Sequence, residues 1–209
     1  MEILITVLLF VSFYLIRVVK LKRAVQLITM QSALLAAVCI FRAVSDVNLS
    51  HMLIAGGLTI LVKVILIPRG LFRLIGELHL DSGLGEGRLL NYGSLLCVLS
   101  LVLAYKLTDN IMPNANNKQM IAASLFLILT GLIIIVMRSH AIMQIVGLLT
   151  MENGIYMFGM SITTGLPLII ELGIFLDVLI AVVVLVLLTQ RMRMSYKTTD
   201  TAILRRLRG

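Results

Sequence analysis

Long apolar runs separated by short polar breaks organise this chain, and the runs have the length of membrane spans. At 1.5 Å per residue, about 20 residues of helix cross a hydrocarbon core of roughly 30 Å. Seven such runs are present. The first covers about 3–19 and ends among Arg17, Lys20, Lys22 and Arg23. The second, about 24–44, starts directly after that cluster, and the third, about 51–68, closes at Pro68-Arg69. Residues 69–80 alternate Arg, Leu and Phe and are expected to lie as a short amphipathic helix at the interface. Residues 81–87, rich in Gly, read as a turn. The fourth run is about 89–105, and Asn110–Lys118, with Pro113 and three further Asn, is a loop. The fifth, sixth and seventh runs are about 120–137, 141–162 and 167–189, followed by a basic tail from Arg191 to Gly209.

Composition supports the spans. Hydrophobic residues make up 60% of the 209 and charged residues 13%, with mean hydropathy +1.07. A soluble domain is about half apolar and a quarter charged, so a free soluble enzyme and a disordered chain are excluded. The expected class is all-α: a polytopic membrane helix bundle with seven transmembrane helices. The net charge of +8 belongs to topology rather than to nucleic acid, because the basic residues flank the spans. Counted on alternate sides, fourteen Lys and Arg fall on one and three (Arg42, Lys106 and Lys118) on the other. By the positive-inside rule the N-terminus is then outside and the C-terminus cytoplasmic. The basic cluster follows the first apolar run, which is therefore expected to stay in the membrane as the first helix rather than to be a cleaved leader. Extramembrane pieces reach only about 20 residues, too few for a soluble catalytic site.

Cys39 and Cys97 lie inside apolar runs without a CxxC pattern, and His51, His79 and His140 are far apart near span ends. None reads as a metal ligand, and the thiols read as small buried side chains.

The chemistry lies in side chains that hydrocarbon should exclude. Lys63, Glu152, Glu171 and Asp177 all fall within spans. A charge at a helix centre costs roughly 2.5–3.5 kcal/mol to insert, so these four must face the bundle interior, a water-filled cavity or a partner subunit, or be neutral there. Glu152, Asp177 and Lys63 lie roughly 15–18 Å along their spans, near the midplane, and Glu171 about 6 Å from the outer face. Glu171 and Asp177, six residues apart, point about 120° from each other around one helix. Buried groups held near neutrality can load and release protons, which makes all four candidate proton-transfer residues. Gln31, Ser32, Asn153, Tyr156, Ser161 and Thr163 supply polar atoms expected to hold ordered water. A structural ion pair between Lys63 and one carboxylate is the competing reading.

Met151-Glu152-Asn153-Gly154, followed by Pro167-Leu-Ile-Ile-Glu171 and Asp177, resembles the hydrogenase-4 component E family. Gln31-Ser32, the run Lys63 to Pro68, and the tail from Leu204 to Gly209 extend the resemblance over most of the chain. The last three spans are also similar to the K-type subunit of respiratory complex I and the C-type subunit of multi-subunit cation/proton antiporters, each with one buried glutamate in its second and one in its third helix. Glu152 takes the first position. Glu171 matches the second by residue type, while Asp177 is nearer in depth.

The resemblance implies a multi-pass subunit of a prokaryotic inner (plasma) membrane, non-catalytic itself, in a group 4 nickel–iron (NiFe) hydrogenase or formate hydrogenlyase-type complex. It would contribute to a mid-membrane proton or sodium path. It implies no cofactor in this chain, with NiFe and iron–sulfur centres in partner subunits. The implied partners are antiporter-like subunits, the quinone- or hydrogenase-module anchor, the soluble hydrogenase arm and lipid, but not nucleic acid. The organisation is then a four-helix segment 1–119, a K-type-like three-helix segment 120–190 and a basic cytoplasmic tail 191–209. An antiporter assembly without redox partners and a non-pumping assembly scaffold stay open. A free-standing carrier is disfavoured by the short chain without inverted repeats.

Overall fold

The computed structural model describes residues 2–45, 56–57, 59–77, 87–113 and 117–162. Their elements are all helical: α1 (Glu2–Arg17), α2 (Leu21–Ser45), a π-helical segment (Ile60–Leu66), α3 (Ile67–Glu77), α4 (Gly87–Ile111), α5 (Lys118–Met137) and α6 (Ala141–Ile162). Four of them contain stretches long and apolar enough to cross a membrane: Leu21–Phe41, Tyr92–Ile111, Lys118–Met137 and Ala141–Ile162. The seventh run, the basic tail, Glu171, Asp177 and Thr163 lie outside the described residues.

Boundaries follow the apolar runs closely for α1, α2, α5 and α6. Two differ for physical reasons. The third run was expected to close at Pro68, yet the backbone stays helical from Ile60 through Glu77. Proline lacks the N–H that would close an α turn on Val64, and its ring crowds that carbonyl. The chain widens before it: the Ile67 N–H bonds to the Val62 carbonyl, five residues back. Helix α3 is amphipathic as expected, with Ile67, Leu71 and Ile75 buried on one face and Arg69 and Arg73 exposed. Helix α4 continues to Ile111, past the expected 105. Apolarity marks where lipid ends, but helical hydrogen bonding does not need lipid. Thr108 Oγ1 donates to the Ala104 carbonyl at 2.8 Å, and Asp109 pairs with Lys118 at 3.6 Å across the turn.

Packing is centred on α5 and α6. Helix α5 is flanked by α1 and α4, α6 by α2, and α2 in turn by α1, α3 and the π-helical segment. The α5–α6 contact is backbone to backbone. A Cβ on Gly131 would stand 2.5 Å from the Met151 nitrogen, and one on Gly154 would stand 2.8 Å from the Ile128 nitrogen. Small residues permit such approach, the common device of helix pairs in membranes, where no hydrophobic effect drives association.

The distribution of polarity is that of a membrane protein. Phe10, Leu95, Leu99 and Val136 are among many large apolar side chains on the outside, while Gln31, Lys63, Glu152 and Asn153 are enclosed. Cys39 and Cys97 are buried thiols, as expected.

Arg138, counted in the sequence as a loop charge, is buried at the α5–α6 junction. Its Nη2 donates to the carbonyl of Ile16 (2.6 Å), in the last turn of α1 where carbonyls have no intrahelical partner, and to that of Val18 (3.0 Å), just beyond the helix. The bond places the α1–α2 and α5–α6 junctions at one end of the bundle, where the charge count had put both. Arg138→Met is expected to lower stability by about 1–3 kcal/mol, since buried carbonyls lose a charged donor. The readout is the thermal unfolding midpoint in detergent, and an unchanged midpoint would remove this capping role.

Candidate functional site

Halfway along α6 the sequence places Glu152 and Asn153 side by side, the twelfth and thirteenth of its 22 residues. Tyr156 follows four residues after Glu152 and so shares its face. Across from them stands Lys63, in the middle of the π-helical segment. Such segments concentrate at functional sites because the widened turn re-aims side chains.

Lys63 and Glu152 form an ion pair, Nζ to Oε1 at 2.5 Å, with side-chain exposures of 2% each. Lys63 Nζ also donates to Asn153 Oδ1 at 2.9 Å and lies 5.9 Å from the Tyr156 ring centroid, within cation–π range. The ammonium is thus held by a charge, an amide carbonyl and a ring face. Among the described residues, Lys63 supplies the carboxylate's charge partner, and Oε2 meets no hydrogen-bond donor.

The network continues away from the pair. Asn153 Nδ2 donates to Gln31 Oε1 and to Ser32 Oγ, both at 3.2 Å. Gln31 Nε2 donates to Ser12 Oγ at 2.7 Å, and Ser12 Oγ donates to the Leu8 carbonyl at 2.7 Å. Ser12, Gln31, Ser32 and Asn153 are all buried. Four helical elements, α1, α2, the π-helical segment and α6, therefore meet on one polar row inside a core whose buried side chains are mostly apolar.

Of the four charged residues singled out from the sequence, the structure brings Lys63 and Glu152 together; Glu171 and Asp177 lie outside the described residues. Gln31, Ser32 and Asn153, expected to hold ordered water, bond directly to one another and to Lys63. Ser161 instead donates to its own helix, at the Phe158 carbonyl. Ser12 was not anticipated. A lone serine in an apolar run carries no pattern, and only the crossing of α1 over α2 gives it a partner. No group of three His, Cys, Asp or Glu that could hold a metal ion occurs among the described residues.

A buried Lys–Glu pair is expensive to desolvate and gains its stability only from close geometry and added hydrogen bonds. Chemically it joins two groups that can exchange a proton between them, from the ionic form to the neutral form and back.

The chain is 33% identical over 193 residues to the uncharacterized protein Rv0085 of Mycobacterium tuberculosis, covering 90% of this chain and 86% of that one. It is 27% identical over 175 residues to hydrogenase-4 component E of Escherichia coli (strain K12), covering 82% of this chain and 77% of the relative. Hydrogenase-4 component E of Shigella flexneri gives the same figures. No family profile matches the chain, and no solved structure matches it. Similarity to a hydrogenase-4 component, together with four long apolar helices, fits a membrane subunit.

Proposed function

The chain belongs to the same family as the uncharacterized protein Rv0085 of Mycobacterium tuberculosis, and from that membership together with the similarity to hydrogenase-4 component E we propose that it is an integral membrane subunit of a group 4 NiFe hydrogenase or formate hydrogenlyase-type complex. In this reading it contributes buried charges to a mid-membrane proton or sodium path, while redox chemistry proceeds on NiFe and iron–sulfur centres of other subunits. The observation that carries it is the Lys63–Glu152 pair, enclosed halfway along α6 and tied by a polar row to two further helices, α2 and α1. An apolar bundle needs no such row for stability: a well-packed hydrophobic replacement of a buried pair is often neutral or stabilising.

Lys63 and Glu152 form one proton-exchange step. Asp177 and Glu171 supply the next acid groups, in a seventh span of a bundle with its N-terminus outside and its C-terminus in the cytoplasm. The proposed setting is a prokaryotic plasma membrane. The proposed partners are antiporter-like subunits, the anchor of the hydrogenase module and its soluble arm.

Two measurements test this. Affinity purification from native membranes is expected to recover hydrogenase and antiporter-like subunits. Recovery of antiporter-like subunits alone would favour a cation/proton antiporter instead. In the purified complex, Glu152→Gln and Asp177→Asn are each expected to lower proton or sodium movement per hydrogen turned over at least tenfold. Full coupling in both and in the double variant would defeat the reading. A scaffold role is favoured by one specific observation, the mutual neutralisation of Lys63 and Glu152. It predicts instead that the same variants fail to assemble.

A further inference from the structure

The polar row has a direction that chemistry imposes from both ends. At one end Lys63 is an ammonium with donors only, so the Asn153 atom facing it is the carbonyl oxygen, at 2.9 Å. Asn153 then presents its NH2 to Gln31 Oε1 and Ser32 Oγ. Gln31 in turn presents its NH2 to Ser12. At the other end, Ser12 spends its single proton on the Leu8 carbonyl, which can only accept. Towards Gln31 it is therefore an acceptor, which fixes the same amide orientation independently. Turning either amide over would set donor against donor or carbonyl against carbonyl in a fully buried place, where each unmade bond is costly.

Two consequences follow. The row aims a carbonyl at Lys63 and so keeps the ammonium beside Glu152. The row also carries no protons, because an amide NH2 does not release and regain a proton as a carboxyl, amine or water does, and the final acceptor is a backbone carbonyl. We propose that Ser12, Gln31 and Asn153 are positioning residues, a one-way hydrogen-bond row that holds Lys63 against Glu152 and closes the α1 side of the bundle to protons. Protons then enter and leave the pair from the Glu152 side. The proposal rests on the reading of Lys63 and Glu152 as a proton-exchange pair.

The test uses the assembled complex in sealed vesicles, with proton movement measured per complex and Glu152→Gln as the reference variant. Gln31→Leu breaks the row, and coupled proton movement is expected to fall about fivefold, less than in Glu152→Gln. Gln31→Glu is the discriminating variant. While its carboxyl holds a proton, the O–H donates to Ser12 and the C=O accepts from Asn153, reproducing the row. Once ionised it can no longer donate to Ser12, and its charge competes with Glu152 from α6 for Lys63 from the π-helical segment, beside which the Cys39 thiol of α2 and the Tyr156 ring of α6 also stand; the charged residues of α1 are Glu2 and Arg17, at its two ends. Relative to wild type, Gln31→Glu is therefore expected to work at about pH 6 and to fall to the level of Gln31→Leu at about pH 9. The unfolding midpoint of the assembled variant, measured at both pH values, separates this loss of positioning from a structural one, which would lower the midpoint together with the coupling. The proposal is overturned if Gln31→Glu tracks wild type at every pH, if assembled Gln31→Leu couples fully, or if Gln31→Leu stops proton movement as completely as Glu152→Gln, which would make the row a conductor. Full coupling in Glu152→Gln would instead strike the underlying reading, whatever Gln31 does.

Discussion

Lys63→Met is expected to destabilise the bundle by about 3–5 kcal/mol and to abolish coupled ion movement. Removing one partner of a buried pair leaves the other charge enclosed without compensation. Glu152 is 2% exposed and has Lys63 for its charge partner among the described residues, so it must take up a proton or reorganise its surroundings. Asn153 also loses the donor that its Oδ1 now meets at 2.9 Å. Stability and function separate in the double variant Lys63→Met with Glu152→Met. With both charges gone and similar volume restored, the desolvation cost disappears, and stability is expected to return to within about 1 kcal/mol of wild type or above it. Ion movement is expected to stay absent. Thermal unfolding and vesicle proton uptake on the same preparations check both halves. A double variant that couples normally would show that the pair only braces the helices.

Gly131→Ala is expected to cost about 1–3 kcal/mol, an overpacking penalty with no side chain able to move aside. The added methyl would meet the Met151 nitrogen at 2.5 Å and the Gly147 carbonyl oxygen at 2.6 Å. Both are backbone atoms, so α5 and α6 must part. The displaced atom of α6 belongs to the residue just before Glu152, and coupling is expected to fall together with the unfolding temperature. Gly70→Ala is the control. Nothing lies within 4 Å of its Cβ position, and on the exposed face of α3 it is expected to be neutral or to stabilise by about 0.5–1 kcal/mol through helix propensity. Equal losses at Gly131 and Gly70 would refute the close-approach argument.

Much of this bundle was legible along the chain because lipid imposes a local rule: an apolar run of sufficient length becomes a helix. Residues 120–137 and 141–162, taken as spans from their apolarity, correspond to α5 at Lys118–Met137 and α6 at Ala141–Ile162. The rule fails where it stops applying. Pro68 looked like an end because proline breaks an α register, but a wider helical register absorbs it. Asn110 looked like loop, yet the helix runs on to Ile111.

Lys63 and Glu152 could be named from one-dimensional reasoning, since charge inside an apolar run is costly wherever it sits. That they face each other could not, for the two are separated by 89 positions, and nothing local sets which helix lies beside which. Small residues at Gly131, Gly147 and Gly154 decide how closely α5 and α6 approach. The crossing of α1 and α2 turns Ser12, silent in the chain, into the anchor of a hydrogen-bond row. Arg138 moved from topological marker to helix cap in the same way. Span positions and the presence of buried charge follow from hydrophobicity, a property each residue carries alone. Partners, direction and enclosure belong to pairs of residues, and only packing brings those pairs within reach.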